Sequence, residues 1–549
     1  MKQDIKIIAY QFNPTVGDIS TNSQTMMQYW ERFNSDNTLL VFPELSLCGY
    51  PPEDLVLNSA FIDTLDLELQ KILQFSKKQK SAALIPTVLR VQGELYNVVH
   101  FVWNGKIEQT IIKHTLPNYA VFDEERIFEA GPRPQPVEFK GHKIGVIICE
   151  DLWNPKVPKH LHKNGAEILI SINASPFYKE KEEVRKTIAR ENTAGTDLDL
   201  IYLNMIGGQD ELVFDGRSFA MNANGDIVYQ APAFRDTIIE FTLDTNSKLS
   251  APGDIITYDE TALTYEALKI GLHDYVRKNG FKKVLLGLSG GIDSALTAAI
   301  AADCLGPENV QCIMLPSEFT SQDSLDDAKE CAELLNISDY SIIPINDPLK
   351  AFETTIPSLS GIAHENTQSR IRGTILMAVS NSNGALLITT GNKSEVAVGY
   401  CTLYGDMNGA FNPLKDVYKT EVYKLAKWRN EQSTAIPERI ITKAPSAELR
   451  EDQKDQDSLP PYDLLDDILM LLVEYDDVNW DHAPDELLEL QKRCLEHPDE
   501  VKKIAKLLKN SEFKRFQAAP GTRITPRAFG RDRRYPLTNH FVNKIEKQS

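Results

Sequence analysis

This sequence lacks the features of membrane proteins and of small secreted domains. None of its apolar runs approaches the ~18 residues of a membrane-spanning helix. Met1-Lys2-Gln3-Asp4 leads directly into strand-like residues, so we expect no leader peptide. The seven cysteines include no CxxC pair, which argues against a disulfide framework and against a structural zinc site. These observations predict a cytoplasmic protein.

An excess of positive charge is also missing. The 549 residues contain 59 Lys and Arg against 78 Asp and Glu, a net charge of −19. We therefore expect no nucleic-acid or membrane-surface partner. The segment 512–534 differs, because seven of its residues are basic and two are acidic. It is either a solvated face with intramolecular ion pairs or an anion site for a phosphorylated small molecule.

The length and the hydrophobic pattern predict two domains. A chain of this size exceeds what one hydrophobic core usually supports. In residues 1–245, apolar strands alternate with amphipathic helices, and Asn104-Gly105 and Asn224-Gly225 predict antiparallel hairpins. Residues 246–260 are predicted to be a linker. The predicted strands of the first half are 5–12, 38–43, 82–90, 96–103, 107–112, 143–149, 167–173, 199–205 and 227–230.

The second half, residues 261–549, has the pattern of a parallel sheet. A helix at 261–279, a strand at 283–288 and a helix at 293–304 begin it, and the strands 310–315, 340–345 and 385–390 follow. The fold class is thus predicted to be α/β in both halves.

A glycine-rich turn joins the strand 283–288 to its helix. The turn aims backbone N–H groups and the positive end of a helix dipole at one point, which suits a polyanion such as pyrophosphate. It is not a Walker A loop, since it lacks the required Lys. Without a ligand, it is simply a tight strand-to-helix turn. The turn consists of Gly287, Leu288, Ser289, Gly290, Gly291, Ile292, Asp293 and Ser294.

Ser-Gly-Gly-Ile-Asp-Ser in this turn resembles the SGGxDS loop of the ATP pyrophosphatases. That resemblance implies a Rossmann-like or flavodoxin-like domain in which residues 287–294 bind the phosphates of ATP. It also implies that Asp293 helps hold Mg²⁺ on the pyrophosphate leaving group.

Cys149 is the candidate nucleophile of the first half. It follows the apolar run 143–148, so its thiol lies where a strand turns. A lone cysteine there is usually a small buried hydrophobic residue. However, Glu44 and Lys113 end two other apolar runs. If the three strand ends converge, Lys113 lowers the pKa of the thiol and Glu44 takes its proton.

Three segments around these residues resemble the nitrilase superfamily of carbon–nitrogen hydrolases. The resemblance implies an α-β-β-α sandwich, with Glu44 as general base, Cys149 as the residue that forms a thioester and Lys113 at the oxyanion. The segments are Phe42-Pro43-Glu44-Leu45, Lys113-His114-Thr115-Leu116-Pro117 and Ile148-Cys149-Glu150-Asp151-Leu152-Trp153.

The same resemblance implies a glutamine site formed by Tyr119, Glu124, Ser175 and Lys181. Glu125 is the alternative to Glu124, because the register of the two is open. At residue 180 the family often has glycine, whereas Glu180 stands here, and a carboxylate beside a carboxylate-binding lysine is unfavourable unless it points to solvent.

Taken together, the two halves resemble the family of glutamine-dependent NAD⁺ synthetases. This implies L-glutamine, ATP and deamido-NAD⁺ as substrates, ammonia as the transferred species, and a homo-oligomer. Further matching segments are 48–55, 390–395, 404–407, 413–420, 446–449 and 525–536.

The family resemblance also assigns residues to the second site. Thr390 is expected to contact ATP, and Glu395 to contact either deamido-NAD⁺ or Mg²⁺. The deamido-NAD⁺ contacts are expected to include Asn366, Tyr400, Cys401, Thr402, Leu403 and Lys514. Asn366 taken singly is also a plausible helix N-cap.

Three other functions are weaker. Amidotransferases for acceptors such as XMP or aspartate normally use a Cys–His–Glu triad or an N-terminal Cys, and here residue 2 is Lys. A dinucleotide sensor without activity would need no activated thiol. An amidase with a regulatory ATP-binding domain is distinguished by whether ATP is consumed.

Overall fold

The computed structural model describes residues 2–253, 255–451, 453–475, 478 and 480–538. The chain divides into two compact units, Met1–Asp259 and Glu260–Ser549. Among the described residues, no helix is long and apolar enough to cross a membrane.

The described part of the first unit contains fifteen strands and four α-helices. The strands are β1 (Ile5–Gln11), β2 (Thr38–Val41), β3 (Ala82–Val91), β4 (Glu94–Trp103), β5 (Lys106–Ile112), β6 (Val137–Phe139), β7 (His142–Ile148), β8 (Ile168–Asn173), β9 (Asp199–Asn204), β10 (Ile206–Gln209), β11 (Leu212–Asp215), β12 (Phe219–Met221), β13 (Ile227–Gln230), β14 (Thr237–Leu243) and β15 (Leu249–Ser250). The helices are α1 (Ile19–Arg32), α2 (Ser59–Ser76), α3 (Lys156–Lys163) and α4 (Lys181–Thr193).

Two sheets of this unit pack face to face. One has the strand order β15-β14-β1-β2-β3-β4-β5 and the other β13-β12-β9-β8-β7-β6. The alternation along β1 shows why both faces are buried: Ile5 and Ile7 point into the core between the sheets, while Ile8 and Tyr10 pack under α1 and α2. On the other side, α3 and α4 cover the second sheet. The predicted α-β-β-α sandwich is confirmed.

The second unit combines a small sheet with many helices. Its strands are β16 (Val284–Gly287), β17 (Val310–Met314), β18 (Asp339–Ile342) and β19 (Leu386–Leu387). Its helices are α5 (Glu260–Lys278), α6 (Ile292–Leu305), α7 (Gln322–Leu334), α8 (Asn346–Thr355), α9 (Ile362–Asn383), α10 (Lys393–Val398), α11 (Lys419–Gln432), α12 (Glu438–Thr442), α13 (Tyr462–Val473), α14 (Asp485–Leu495), α15 (Pro498–Asn510) and α16 (Glu512–Arg515).

The sheet of the second unit is parallel throughout, as predicted, with the order β18-β17-β16-β19. The order reverses between β16 and β19. In open α/β sheets a ligand binds at the carboxyl ends of the strands at such a reversal. The turn 287–294 follows β16, and residues 388–390 follow β19, so both reach this place.

The structure contains six strands that were not predicted, five of them of four residues or fewer. The strands β6, β10, β11, β12, β14 and β15 were not predicted, and the predicted strand 385–390 is reduced to Leu386–Leu387. The two hairpins predicted from Asn-Gly pairs are confirmed, since β4 pairs with β5 and β12 with β13 in antiparallel fashion.

Candidate active sites

In the first unit, three strand ends bring Glu44, Lys113 and Cys149 together. Glu44 follows β2, Lys113 follows β5 and Cys149 follows β7, and none of the three is more than 5% exposed. The ammonium Nζ of Lys113 donates to Oε1 of Glu44 at 2.7 Å. The charges of Glu44 and Lys113 both act on the thiol of Cys149. The expected convergence is therefore present.

Glu124 completes this cluster. Its two carboxylate oxygens accept from Lys113 Nζ at 3.0 and 2.8 Å, and Oε1 also accepts from the hydroxyl of Tyr50 at 2.9 Å. Burial raises the pKa of Glu124 to about 7; Lys113 opposes this and Glu44 adds to it. Glu125 is exposed and accepts from Asn118, so Glu124 is the glutamate of the cluster.

The backbone at Cys149 is turned sharply. Its φ is +46°, in the left-handed region that is uncommon for residues other than glycine and found at strained functional positions. Burial raises the pKa of the Cys149 thiol well above its usual value, and Glu44 raises it further. Lys113 lowers it as expected, but this effect is the smaller one. The thiol therefore needs a base at the moment of attack.

Tyr119 and Lys181 lie beside the turn that follows Cys149. The Tyr119 hydroxyl donates to both carboxylate oxygens of Glu150, at 3.1 and 3.0 Å, and its side chain is 49% exposed. Lys181 Nζ lies 4.4 Å from the centre of the Trp153 ring, a cation–π distance. Glu150 was not predicted, although it directly follows Cys149.

The backbone at residue 180 explains why the family often has glycine there, although this chain has Glu180. Its φ is +67°, which a glycine adopts without strain. The side chain is exposed, so the expected repulsion at Lys181 is avoided.

Ser175 is buried and held by a guanidinium group. Arg185 donates to Ser175 Oγ at 3.1 Å and to the Ser175 carbonyl at 2.7 Å. The same guanidinium donates to Asp215 at 2.8 and 2.9 Å. Arg185 was not predicted, because its link to Ser175 depends on how α4 packs.

Asp151 connects two of the strand ends. It is fully buried and accepts from the backbone N–H of His114 at 3.1 Å and of Thr115 at 2.7 Å. It thus ties the residues after Lys113 to the turn that carries Cys149. Burial raises its pKa to about 6, while the bond from Thr115 lowers it.

In the second unit, the turn 287–294 is held by its own serines. The hydroxyl of Ser294 accepts from the backbone N–H of Ser289 at 3.1 Å, and the hydroxyl of Ser289 accepts from that of Gly291 at 3.2 Å. Gly290 has φ +80°, and a Cβ there would collide with the carbonyl oxygen of Ser324. Only glycine fits this position.

The turn forms one wall of a cavity of about 320 Å³ at the strand-order reversal. This is the size of a small-ligand site. Of the predicted residues, the whole turn, Thr390, Glu395, Tyr400 and Cys401 line it. Arg372 and Lys443 also line it and were not predicted. Burial lowers the pKa of Arg372 to about 10, still cationic at neutral pH.

Asp293 and Glu395 share one lysine at the cavity. Lys419 Nζ donates to Asp293 Oδ2 at 2.5 Å and to Glu395 Oε1 at 3.0 Å. Burial raises the pKa of Glu395 to about 7; Lys419 opposes this and Asp293 adds to it. The described residues contain no group of three or more His, Cys, Asp or Glu able to hold a metal alone. Two carboxylates do fit Mg²⁺ that arrives with a nucleotide's phosphates.

The remaining predicted residues lie outside the cavity lining. The hydroxyl of Thr402 donates to Asn366 Oδ1 at 2.9 Å, and the Leu403 carbonyl accepts from Arg370. Asn366 lies within α9, whose N-cap is Gly361, so the capping interpretation is wrong.

Lys514 contacts backbone rather than side chains. Its Nζ donates to the carbonyls of Gly399 at 2.8 Å and Cys401 at 2.7 Å, just after α10 ends. In the basic segment, Arg515 and Arg533 share Glu512, and Arg523 pairs with Asp532. For these residues, the interpretation as ion pairs is confirmed.

Comparison with known proteins gives matches over nearly the whole chain. The carbon–nitrogen hydrolase family model matches residues 6–248, and the NAD synthase model matches residues 264–518. A glutamine-dependent NAD(+) synthetase of Rhodobacter capsulatus is 43% identical over 98% of this chain and 99% of its own. One of Acinetobacter baylyi is 42% identical over 98% and 99%.

Solved structures agree. The glutamine-dependent NAD⁺ synthetase of Acinetobacter baumannii, in complex with adenosine diphosphate, aligns with a TM-score of 0.77 and 39% identity, covering 98% of this chain and 100% of its own. A structure from Cytophaga hutchinsonii aligns with a TM-score of 0.80 over the full length of both chains. At 22% identity, that likeness shows a shared fold.

Proposed function

The chain belongs to the family of glutamine-dependent NAD(+) synthetases, and we propose that it carries out the reaction of that family with the residues described above. It is a ligase that takes the amide nitrogen of L-glutamine to convert deamido-NAD⁺ into NAD⁺, with ATP as the activating substrate. The two sites divide the work: the first unit releases ammonia, and the second activates the acceptor.

At the first site, Cys149 attacks the amide carbon of glutamine while Glu44 accepts the thiol proton. The burial of the Cys149 thiol supports this coupling, because burial raises its pKa and so disfavours a thiolate before the substrate is bound. Lys113 stabilises the negative oxygen of the tetrahedral intermediate. Glu44 then gives the proton to the departing nitrogen. Ammonia and a thioester on Cys149 result, and water hydrolyses the thioester to glutamate.

The glutamine is positioned by Tyr119, Glu124, Ser175 and Lys181 in this proposal. Lys181 carries the charge that suits a substrate carboxylate, and Glu150 beside Tyr119 suits the substrate ammonium.

At the second site, the turn 287–294 and Thr390 bind ATP. The nicotinate carboxylate of deamido-NAD⁺ attacks the α-phosphorus, pyrophosphate leaves, and ammonia then displaces AMP from the adenylate. Arg372 and Lys443 supply positive charge along the cavity. The adenosine diphosphate in the Acinetobacter baumannii relative supports a nucleotide site in this chain. The loop 399–403, with Asn366 and Lys514, is proposed to receive the dinucleotide.

Magnesium is proposed to enter with ATP. Asp293 and Glu395 are the residues that would hold it, and once bound the ion neutralises charge on the pyrophosphate leaving group. Lys419, which lies between the two carboxylates, keeps them oriented toward the cavity.

We also propose a cytoplasmic homo-oligomer with two domains that are joined near residue 260. Seven free cysteines suit a reducing compartment. Light scattering of the purified protein measures the oligomeric state, and a monomer would contradict that part of the proposal.

The observation that carries the proposal is the Glu44–Lys113–Cys149 cluster on the same chain as the turn 287–294. The test is NAD⁺ and AMP formation from ATP, Mg²⁺ and deamido-NAD⁺, with either glutamine or ammonium as donor. Cys149→Ala should abolish turnover with glutamine and leave turnover with ammonium near the wild-type rate. If the wild type hydrolyses glutamine but forms NAD⁺ with neither donor, the acceptor is a different molecule.

A further inference from the structure

Asn97 of β4 is the residue that physically joins the proposed base to the proposed oxyanion residue. Its side-chain Nδ2 donates to Glu44 Oε1 at 2.8 Å. Its backbone carbonyl accepts from the backbone N–H of Lys113 at 2.9 Å. Asn97 is 1% exposed. One residue therefore fixes two members of the cluster by two different groups.

The sheet order explains this position. β2 pairs with β3, β3 with β4 and β4 with β5, so β4 lies between the strand end that carries Glu44 and the one that carries Lys113. The last backbone bond between β4 and β5 is the one to Lys113. A side chain at residue 97 can therefore reach the carboxylate without any loop in between.

Packing alone does not account for an asparagine here. Its Oδ1 is buried and has no hydrogen-bond partner within the described part of the chain. An unpaired buried acceptor costs free energy that a valine or leucine would avoid. The bond that Nδ2 donates to the Glu44 carboxylate is charge-assisted, and bonds of that kind are the strong ones.

We propose that Asn97 is a positioning residue of the glutaminase site, which rests on the proposed function. Its side chain holds and orients the carboxylate of Glu44, while its backbone sets where Lys113 leaves β5. The backbone N–H of Ala174 donates to the other oxygen, Oε2, at 3.1 Å. The two donors together fix the plane of the carboxylate.

The proposal predicts a change in pH dependence. A hydrogen bond donated to a carboxylate favours its ionised form, so removing it moves the acid side of the glutamine profile to higher pH. The titratable groups whose charges act with Glu44 are Cys48, Tyr50, Lys113, Glu124, Cys149 and Glu150. All of these remain in an Asn97 variant, so a shift reports the lost bond.

The experiment measures glutamate release and ammonium-driven NAD⁺ formation in the full chain. Asn97→Leu should lower kcat for glutamine by about 100-fold with little change in KM, and move the acid limb up by about one pH unit. Ammonium-driven turnover should remain within about twofold, which also shows that the variant folds.

Asn97→Asp keeps the shape of the side chain and tests the donor itself. The new carboxyl group can donate only while protonated, so the loss should be larger at about pH 8 than at about pH 6. Val99→Ala is the matched control, since Val99 is buried on the same strand and packs between the sheets. It should lower the melting temperature without moving the profile.

Two results would overturn the proposal. One is an Asn97→Leu variant with the wild-type profile for glutamate release; the other is a Val99→Ala variant with the same shift. Failure of the proposed function has a different signature, because the wild type would then form no NAD⁺ with either donor while the glutamate-release comparison still stands.

Discussion

At the scale of single residues, Gly290 is the glycine of the turn 287–294 at which a side chain is least tolerated. Gly290→Ala combines φ +80° with a Cβ that would collide with the Ser324 carbonyl. Strain of this kind costs about 1–3 kcal/mol, so we expect ammonium-driven turnover at limiting ATP to fall about 10-fold or more. Rates measured against ATP concentration check this, with glutamate release as the unaffected activity.

Gly291→Ala is the matched control for that substitution. Gly291 has an ordinary backbone conformation. The atom nearest to a Cβ added at this position would be Ser289 Oγ, at 3.3 Å. Equal losses in the two variants would show that the left-handed backbone at Gly290 is not the cause.

The raised pKa of Glu124 predicts that the stability of the fold depends on pH. Its pKa is about 7 in the fold against 4.5 for the ordinary group, so the folded chain binds the proton more tightly. The stability from this group is present below about pH 4.5 and is lost as the pH rises through about 7. Relative to the wild type, Glu124→Gln should therefore gain free energy of unfolding with rising pH, by up to about 3 kcal/mol.

Denaturant unfolding of Glu124→Gln and the wild type at several pH values measures this difference. The neighbouring exposed Glu125→Gln serves as control and should follow the wild type. A difference for Glu124→Gln that stays constant from about pH 5 to about pH 8 would contradict the prediction.

The positions of site residues could be predicted where a motif carries them, whereas their roles stay predictions. Glu44, Lys113 and Cys149 stand at strand ends with recognisable neighbours, and the structure brings them together. Asn97 and Asp151 could not be predicted in this way, because their partners lie 53 and 37 residues away and are reached only through the strand order.

At the scale of elements, α16 is hydrogen-bonded to the residues that follow α10. Lys514 donates to two carbonyls that follow α10, and Gly399 is required there because a Cβ would collide with Ser511 Oγ. A cation at a helix C-terminus also interacts favourably with its dipole. We expect these hydrogen bonds from Lys514 to position the loop 399–403, which is proposed to receive the dinucleotide.

We therefore expect Lys514→Ala to raise the KM for deamido-NAD⁺ by about 10-fold, the effect of losing about one charge-assisted hydrogen bond. The KM for ATP and glutamate release should not change. Lys506→Ala, on the exposed side of α15, is the control. Steady-state kinetics with ammonium as donor measure the effect. An unchanged KM for deamido-NAD⁺ in Lys514→Ala would show that the hydrogen bonds of Lys514 do not position the loop.

Most long strands were predictable and most short buried ones were not, although the seven-residue β14 was also missed. β3 and β4 have many apolar residues and an adjoining turn signal. By contrast, β10 and β11 span four residues each, and β10 contains Gly207 and Gly208. Such a segment has no readable alternation, and its pairing depends on neighbours far away in the sequence.

At the scale of the whole molecule, the end of the first unit can be located experimentally. The predicted domain ends at residue 245, whereas the first compact unit of the structure extends to Asp259. Between these points, β15 pairs with β14, and the Tyr258 hydroxyl accepts from the backbone N–H of Ala233 at 3.2 Å. The Arg217 guanidinium also lies 5.0 Å from the centre of the Tyr258 ring.

A fragment of residues 1–259 should accordingly fold by itself, since its cores are made of its own residues. A fragment of residues 1–245 should be less stable by about 1–3 kcal/mol, through the lost hydrogen bonds and cation–π contact. Thermal unfolding of both fragments measures the difference. Equal stability would favour the earlier boundary.

The burial of Cys149 has a consequence beyond the transfer of nitrogen. Peroxides oxidise a cysteine more readily the more thiolate character and exposure it has, and the burial of Cys149 disfavours both. In the proposed mechanism, the thiol of Cys149 reacts only when a substrate carbonyl is bound and Glu44 accepts the thiol proton. A cell under oxidative stress would thus keep this route to its main redox carrier open.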